Sequence, residues 1–333
     1  MKTLISAVLA AAVLIAPASL AHAADKVRFG SIRVPVQIFV GMKMGFFEEQ
    51  GIEVEPVFYK SGSEIAPALA TDQVDAAFTT SGAALFNALA RGAKITIVAE
   101  ALALEPEAPG GDPTAIVLRS DLIKNPQKPA EDLKGKTLAT TAPGQILDIM
   151  IKAYLKKIGL SPSDVKIVGM PMPDIVPALS NGALDGAIVI DPFLSALVEA
   201  GKVKVLARSS EILPNASQAF LALSDSMRQR QDLSVRFVRA YLKTNGWMRQ
   251  ALASPDGRKE IAAIFQEFVP ARSAEVYELI ALGTASASAE INVDGEYGLK
   301  WQLQVLKDEG LIKGDPDLDA HLDSDLLKRA GQE

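Results

Sequence analysis

The chain repeats itself. The stretch from Pro67 to Phe78, PALATDQVDAAF, is answered 110 positions later by Pro177 to Ile188, PALSNGALDGAI. Upstream the echo continues, with Gly51-Ile52 matching Gly159-Leu160 and Ser63-Glu64-Ile65 matching Pro173-Asp174-Ile175. Each copy reads as a short helix, a turn closing on an aspartate, then a short buried strand. Solenoids repeat at roughly 20–50 residues, so a two-copy pattern at this spacing points instead to two similar α/β lobes. Two facing lobes enclose one cleft, the geometry of a clamp that closes on a ligand.

The first residues indicate where such a clamp works. Lys2 supplies a positive start, and Leu4 to Ile15 is an apolar run too short to span a bilayer. Ala21-His22-Ala23 then has the small-x-small form cut by signal peptidase. Residues 1–23 are therefore expected to be a signal peptide cleaved after Ala23, leaving a mature chain in a bacterial periplasm. No later stretch reaches about 18 uninterrupted apolar residues, so the rest is not expected to be membrane-embedded. The chain has no cysteine, which excludes disulfides and a lipid-modified cysteine anchor.

Composition removes much chemistry. Of two histidines, His22 leaves with the signal and His321 lies near the C-terminus. One peripheral histidine and no cysteine cannot build a histidine-rich zinc site, a thiol nucleophile or a histidine-based triad in a cleft. Carboxylate pairs and lysine chemistry stay open, but no short motif proposes either. A net charge of −6 without a basic run argues against nucleic acid. The expectation is a monomeric binder of a small molecule, with no cofactor and no metal.

Along the mature chain, apolar runs at Val27–Gly30, Ile52–Tyr59, Ala76–Thr79 and Ile95–Ala99 alternate with helical patterns at Phe39–Gln50, Glu64–Thr71 and Gly82–Arg91. This alternation predicts βαβ units around mainly parallel sheets. Thr114–Leu118 reads as a strand, and the Pro-rich Asn125–Pro129 as the passage to a second lobe opened by Lys136–Thr140 and closed by Val203–Ala207. The expected division is 24–118 and 214–333 for lobe one and 119–213 for lobe two, with Gln218–Leu223 returning the chain. From Leu233 onward helices are expected to wrap back onto lobe one.

These residues resemble a known family, the periplasmic substrate-binding proteins of ABC importers in the nitrate, sulfonate, taurine and thiamine-precursor group. The resemblance rests on Gly45-Phe46-Phe47-Glu48-Glu49-Gln50-Gly51-Ile52-Glu53-Val54, Ser61-Gly62-Ser63-Glu64, Leu133-Lys134-Gly135-Lys136-Thr137-Leu138-Ala139 and Asp185 through Phe193. It runs from about Val27 to Ala207. It implies an α/β bilobal type II binding-protein fold, a ligand between the lobes, and delivery to a membrane permease driven by a cytoplasmic ATPase. A periplasmic ligand sensor would use the same clamp. An enzyme of the same fold, a thiamine-pyrimidine synthase, depends on a cysteine-rich motif and an active-site histidine that the mature chain lacks.

In an open α/β sheet, ligands sit beyond the carboxyl ends of strands, where helices begin with free N–H groups. The turns so placed are Ser31–Gln37, Ser61–Glu64 and Thr79–Ala83, then Thr140–Gln145, Met170–Asp174 and Ile190–Phe193. Candidate ligand contacts are Arg33, Gln37, Ser61, Ser63, Thr80 and Ser81 from lobe one, and Thr141, Gly144, Gln145, Met172, Asp191 and Phe193 from lobe two. Arg33 is placed to pair with a carboxylate, sulfonate or phosphate, or else to face solvent. Ser63 and Asp191 fit a helix cap as well as a ligand contact. Met172 and Phe193 fit a core as well as an apolar wall.

Sulfonate binders of the group often carry Ser-Thr after the lobe-two glycine, where this chain has Gln145-Ile146, and an aromatic residue with Glu where it has Ile190-Asp191. These departures weaken the match to a sulfonate site; the expected solute is still a small organic molecule with an anionic end and an apolar body, such as an organosulfonate or aromatic carboxylate. A pyrimidine-type vitamin precursor is the alternative.

Overall fold

The protein is described here by a computed structural model covering residues 23–269 and 274–332. The expected leader, His22 included, lies outside the described residues except for Ala23. Among the described residues no helix is long and apolar enough to cross a membrane.

Among the described residues, ten strands build two five-stranded sheets: β1 (Asp25–Ile32), β2 (Ile52–Tyr59), β3 (Ala76–Thr80), β4 (Thr96–Ala103), β5 (Thr114–Arg119), β6 (Thr137–Thr140), β7 (Lys166–Gly169), β8 (Gly186–Ile190), β9 (Val203–Arg208) and β10 (Ser217–Leu223). The sheet orders are β2-β1-β3-β10-β4 and β7-β6-β8-β5-β9. In the first, β1 runs parallel to β2 and β3 while β10 lies antiparallel between β3 and β4. In the second, β6 runs parallel to β7 and β8 while β5 lies antiparallel between β8 and β9. Strand for strand the sheets correspond, and each receives its antiparallel member from a chain crossing over from the other lobe. Two mixed sheets with helices packed on them form the expected two-lobed α/β fold.

The duplicated segments take the same shape in both lobes. Gly51 and Gly159 both adopt a left-handed conformation, with φ of 68° and 82°. Ile52 N donates to Phe47 O at 3.0 Å and Leu160 N to Leu155 O at 2.8 Å, the six-to-one closure of a Schellman turn. Next come the helices Ile65–Ala70 and Met172–Asn181, which bury Ile65 and Ile175. The aspartates then tie each unit to the equivalent strand of its lobe, β1 in the first and β6 in the second. Asp75 N donates to Arg28 O and Asp75 Oδ2 accepts from Arg28 N, at 2.9 and 2.8 Å. Asp185 N donates to Thr137 O and Asp185 Oδ2 accepts from Thr137 N, at 3.1 and 2.9 Å.

The expected lobe boundary needs correction. β5 pairs with β8 and β9, so it belongs to the second sheet, and the crossing lies before it at residues 104–113 rather than after Leu118. The return crosses at 209–216, and the two crossings bond to each other: Leu104 N donates to Ala216 O and Asn215 N to Leu104 O, both at 2.9 Å.

The helix Gln231–Ala251 covers lobe one as expected, with Phe237 packed between Phe29 and Phe47 at centroid distances of 6.3 and 5.1 Å. The later helix Leu299–Asp308 is shared between the lobes. Its Leu303 and Leu306 join a single apolar cluster with Phe86 and Leu89 of lobe one and Leu147 and Met150 of lobe two.

Candidate functional site

Two helices begin face to face where the sheets meet: Ala83–Ala90 after β3 and Ile146–Lys157 after β6. A helix start leaves backbone N–H groups without partners. Here each finds a carbonyl of the opposite lobe. Ala83 N donates to Gly144 O at 2.8 Å, and Ile146 N to Ser81 O at 3.1 Å. Gly82 and Gln145 form a β-bridge, and the Thr80 hydroxyl donates to Gln145 Oε1 at 2.9 Å. Only glycine fits position 82, because a Cβ there would stand 2.6 Å from Gln145 Oε1 and 2.9 Å from Gly144 O.

This clasp is braced from behind. Ser81 donates its hydroxyl hydrogen bond to the fully buried Gln302. Asp148 accepts from Gly144 N at 2.9 Å and from Lys152 Nζ at 2.8 Å, and Lys152 reaches on to Glu309 at 2.6 Å. Burial disfavours the Lys152 charge, but its bonds to the two carboxylates outweigh that and hold its pKa above the ordinary lysine value.

Beside the clasp lies a cavity of about 130 Å3. Its walls come from the loop after β1, from β10, from the ends of β3, β4 and β8, and from residues 281–283. Most of the surface is apolar, with Ile32, Val34, Phe78, Leu102 and Leu282 prominent. Its polar side chains are Ser31, Gln37, Thr80, Asp191 and Gln218, and the described lining holds no lysine, arginine or histidine. Gln37 Nε2 donates to Ala101 O at 2.6 Å. Asp191 Oδ1 accepts from Ser195 N and Oγ at 2.9 and 2.7 Å, and Oδ2 accepts from Ala281 N at 3.1 Å. Burial lifts the Asp191 pKa above the usual carboxylate value against the pull of those bonds. On the far side of Asp191 and Ala281 a wider cavity of about 520 Å3 is lined in part by Arg208 and Arg258, each bonded to a backbone carbonyl.

Of the expected site residues, Gln37, Thr80 and Asp191 line the smaller cavity, and Thr80, Ser81, Gly144 and Gln145 make up the clasp. Asp191 also accepts from Ser195 N in the first turn of the helix Phe193–Glu199. Others stand apart. Arg33 is exposed, with its guanidinium 4.0 Å above the Phe58 ring. The Ser61 and Ser63 hydroxyls bond each other at 2.7 Å, while Gly62 between them reaches the lining. Thr141 is half-buried outside the lining, and Met172 and Phe193 pack against the core of lobe two. The lining residues that the sequence did not mark as site residues include Ile65, Phe78, Ala101, Leu102, Pro113, Gln218, Ala219 and the 281–283 segment. Gln218 sits second in a strand already expected, but nothing local marks it.

The NMT1-like family model matches residues 22–266. The taurine-binding periplasmic protein of Escherichia coli K12 is 32% identical over 158 residues, 47% of this chain and 45% of that protein. The 4-amino-5-hydroxymethyl-2-methylpyrimidine phosphate synthase of Schizosaccharomyces pombe is 29% identical over 154 residues, 46% of this chain and 40% of that protein. The chain thus spans less than half the length of the curated relatives it matches. Among solved structures, the alkanesulfonate-binding protein SsuA of Xanthomonas axonopodis pv. citri, bound to MOPS, superposes with a TM-score of 0.69 at 18% identity, covering 91% of this chain and 99% of that one. At that identity the likeness concerns the fold. Family match, sheet order and doubled unit agree: the chain belongs to the NMT1-like family.

Proposed function

We propose that this chain is the substrate-binding component of an ABC importer, capturing a small organic solute between its lobes in the periplasm and passing it to a permease worked by a cytoplasmic ATPase. The observation that carries the reading is the cavity beside the clasp, walled by loops from both sheets at strand ends. A solute touching both walls binds the closed form better than the open one and shifts the population toward it. Moving from mostly open to mostly closed takes about 5 kcal/mol of differential binding.

Two relatives bear on the solute. An organosulfonate or aromatic carboxylate accords with the likeness to a taurine-binding protein. Arg33, whose neighbours Ile32 and Val34 both line the cavity, is the side chain placed to swing toward such an anion. A pyrimidine-type vitamin precursor accords with the pyrimidine phosphate synthase likeness and with the cation-free lining. Binding rather than catalysis is favoured by the missing cysteine and by His321, whose Nδ1 lies 3.0 Å from Ile95 O, outside the lining.

The test is a thermal-shift screen of residues 24–333 against organosulfonates, aromatic carboxylates, nitrate, pyrimidines and amino acids, followed by solution scattering. A micromolar ligand at thousandfold excess raises stability by about 4 kcal/mol. A hit that also compacts the protein supports the reading. Binding without compaction in any class refutes capture by closure. If the solute is an anion held by Arg33, Arg33→Ala weakens binding at least tenfold while leaving the melting temperature of the empty protein nearly unchanged. Equal affinity removes Arg33 from the site.

A further inference from the structure

We infer that the cavity takes an uncharged solute with an apolar body and one polar edge, a hydrogen-bond donor beside an acceptor, read by the carboxamide of Gln218; this rests on the cavity being the solute site of the proposed binding protein. Gln218 lies in β10, is 3% exposed and lines the cavity. Its Oε1 is buried without a partner, and no hydrogen bond of its side chain is present among the described residues. A buried amide left unmatched is costly, and a solute that matches it recovers that cost on binding.

The rest of the lining narrows the class. The Gln37 Nε2, the Ser31 and Thr80 hydroxyls and both oxygens of Asp191 already have protein partners. An anion would meet no lysine, arginine or histidine in the described lining. The N–H groups of Ala83 and Ile146, at the two facing helix starts, are already given to carbonyls across the clasp. A cation would meet no free carboxylate, because Asp191 is the lining's sole acid among the described residues and is fully bonded. Charge in an apolar wall without a partner is strongly disfavoured. A neutral donor–acceptor edge suits a carboxamide, which offers a C=O and an N–H side by side.

The test uses residues 24–333 and one phenyl body carrying different heads: benzamide, N,N-dimethylbenzamide, benzoate, benzenesulfonate and benzylammonium, measured by calorimetry and thermal shift. Benzamide is expected to bind at least tenfold tighter than every other member. Gln218→Leu is expected to lower benzamide affinity ten- to a hundredfold and to erase its preference over the dimethyl analogue. The same variant should leave the melting temperature of the empty protein unchanged or raised, since it removes an unmatched polar group. Gln218→Glu, a second variant of nearly equal shape, should lose benzamide and gain benzylammonium.

Tighter binding of benzoate or benzenesulfonate, insensitive to Gln218, would overturn the neutral-edge inference and leave the binding-protein reading standing. A Gln218→Leu protein with a lower melting temperature and unchanged preferences would reduce Gln218 to a structural role. Silence from the whole series, together with silence in the broader solute screen, would sink both readings.

Discussion

Asp75 and Asp185 hold equivalent places in the two lobes, yet they are embedded differently. Asp75 accepts from the Arg28 backbone and guanidinium, and also from Arg230 Nη2 at 3.0 Å, which links it to the start of the long helix Gln231–Ala251. Asp185 accepts from Thr137 N and makes no ion pair among the described residues. The next position differs as well. Lobe one has Ala76, whereas lobe two has Gly186, where a Cβ would lie 2.5 Å from Val117 O and 2.8 Å from Leu138 Cδ2. One backbone plan is thus secured by charge and an added helical layer in lobe one and by close strand packing in lobe two. Likeness of fold does not carry likeness of energetics.

The sharpest way to break this contrast is to remove both aspartates in turn. Asp75→Ala should cost about 3 kcal/mol, because two arginines and a strand N–H lose a buried acceptor; their partial exposure keeps the loss from being larger. Asp185→Ala should cost about 1 kcal/mol, one backbone hydrogen bond. Urea denaturation of both variants measures the difference, and equal losses would erase the distinction between the lobes. Gly186→Ala is next, at about 2 kcal/mol from overpacking against β5 and β6. The reciprocal Ala76→Gly should cost about 1 kcal/mol, from backbone entropy and a lost buried methyl.

A third change addresses the contact between the lobes. Gln145→Ala removes the acceptor of the Thr80 hydroxyl without touching either sheet. It should lower solute affinity severalfold and reduce ligand-induced compaction in solution scattering. Undiminished compaction would mean that the backbone bonds of the clasp suffice.

The smallest effect is a pH dependence in lobe one. Burial raises the Glu100 pKa above its ordinary 4.5, against the opposing bonds from Ser217 Oγ and Ser286 N at 2.5 and 2.8 Å. A carboxyl whose folded pKa is raised contributes stability that is full below the unfolded value and is lost as pH rises through the folded one. Relative to Glu100→Gln, the parent should therefore lose stability as pH climbs above about 4.5, by denaturation at a series of pH values. A parent that instead gains on the variant with rising pH would contradict the burial argument.

How far the sequence could be read varies with the range of the interaction. The duplicated helix–turn–aspartate–strand unit, the two Schellman glycines and the wrapping of Gln231–Ala251 all follow from patterns within a dozen residues or from the repeat. So did the clasp turns at Thr80–Ser81 and Gly144–Gln145, because a helix start after a parallel strand has a fixed place in such a sheet. The sequence pattern puts β5 on the wrong side of the crossing, because a strand carries no local sign of the sheet it will join. Its partners β8 and β9 lie about 70 to 90 residues further on.

The sequence alone settled that this chain folds as two matched α/β lobes, since backbone hydrogen bonding and the period of buried residues are local properties written into both copies. It also settled which chemistry is missing, since no packing can supply a cysteine or a third histidine. The tertiary structure decided the rest. It set Arg33 over Phe58, turned two helix starts toward each other's carbonyls, and left the carboxamide of Gln218 unmatched in an apolar wall. Those outcomes depend on which distant groups arrive at the same place, and a side chain's partner is chosen by packing across the lobes rather than by its neighbours in the chain.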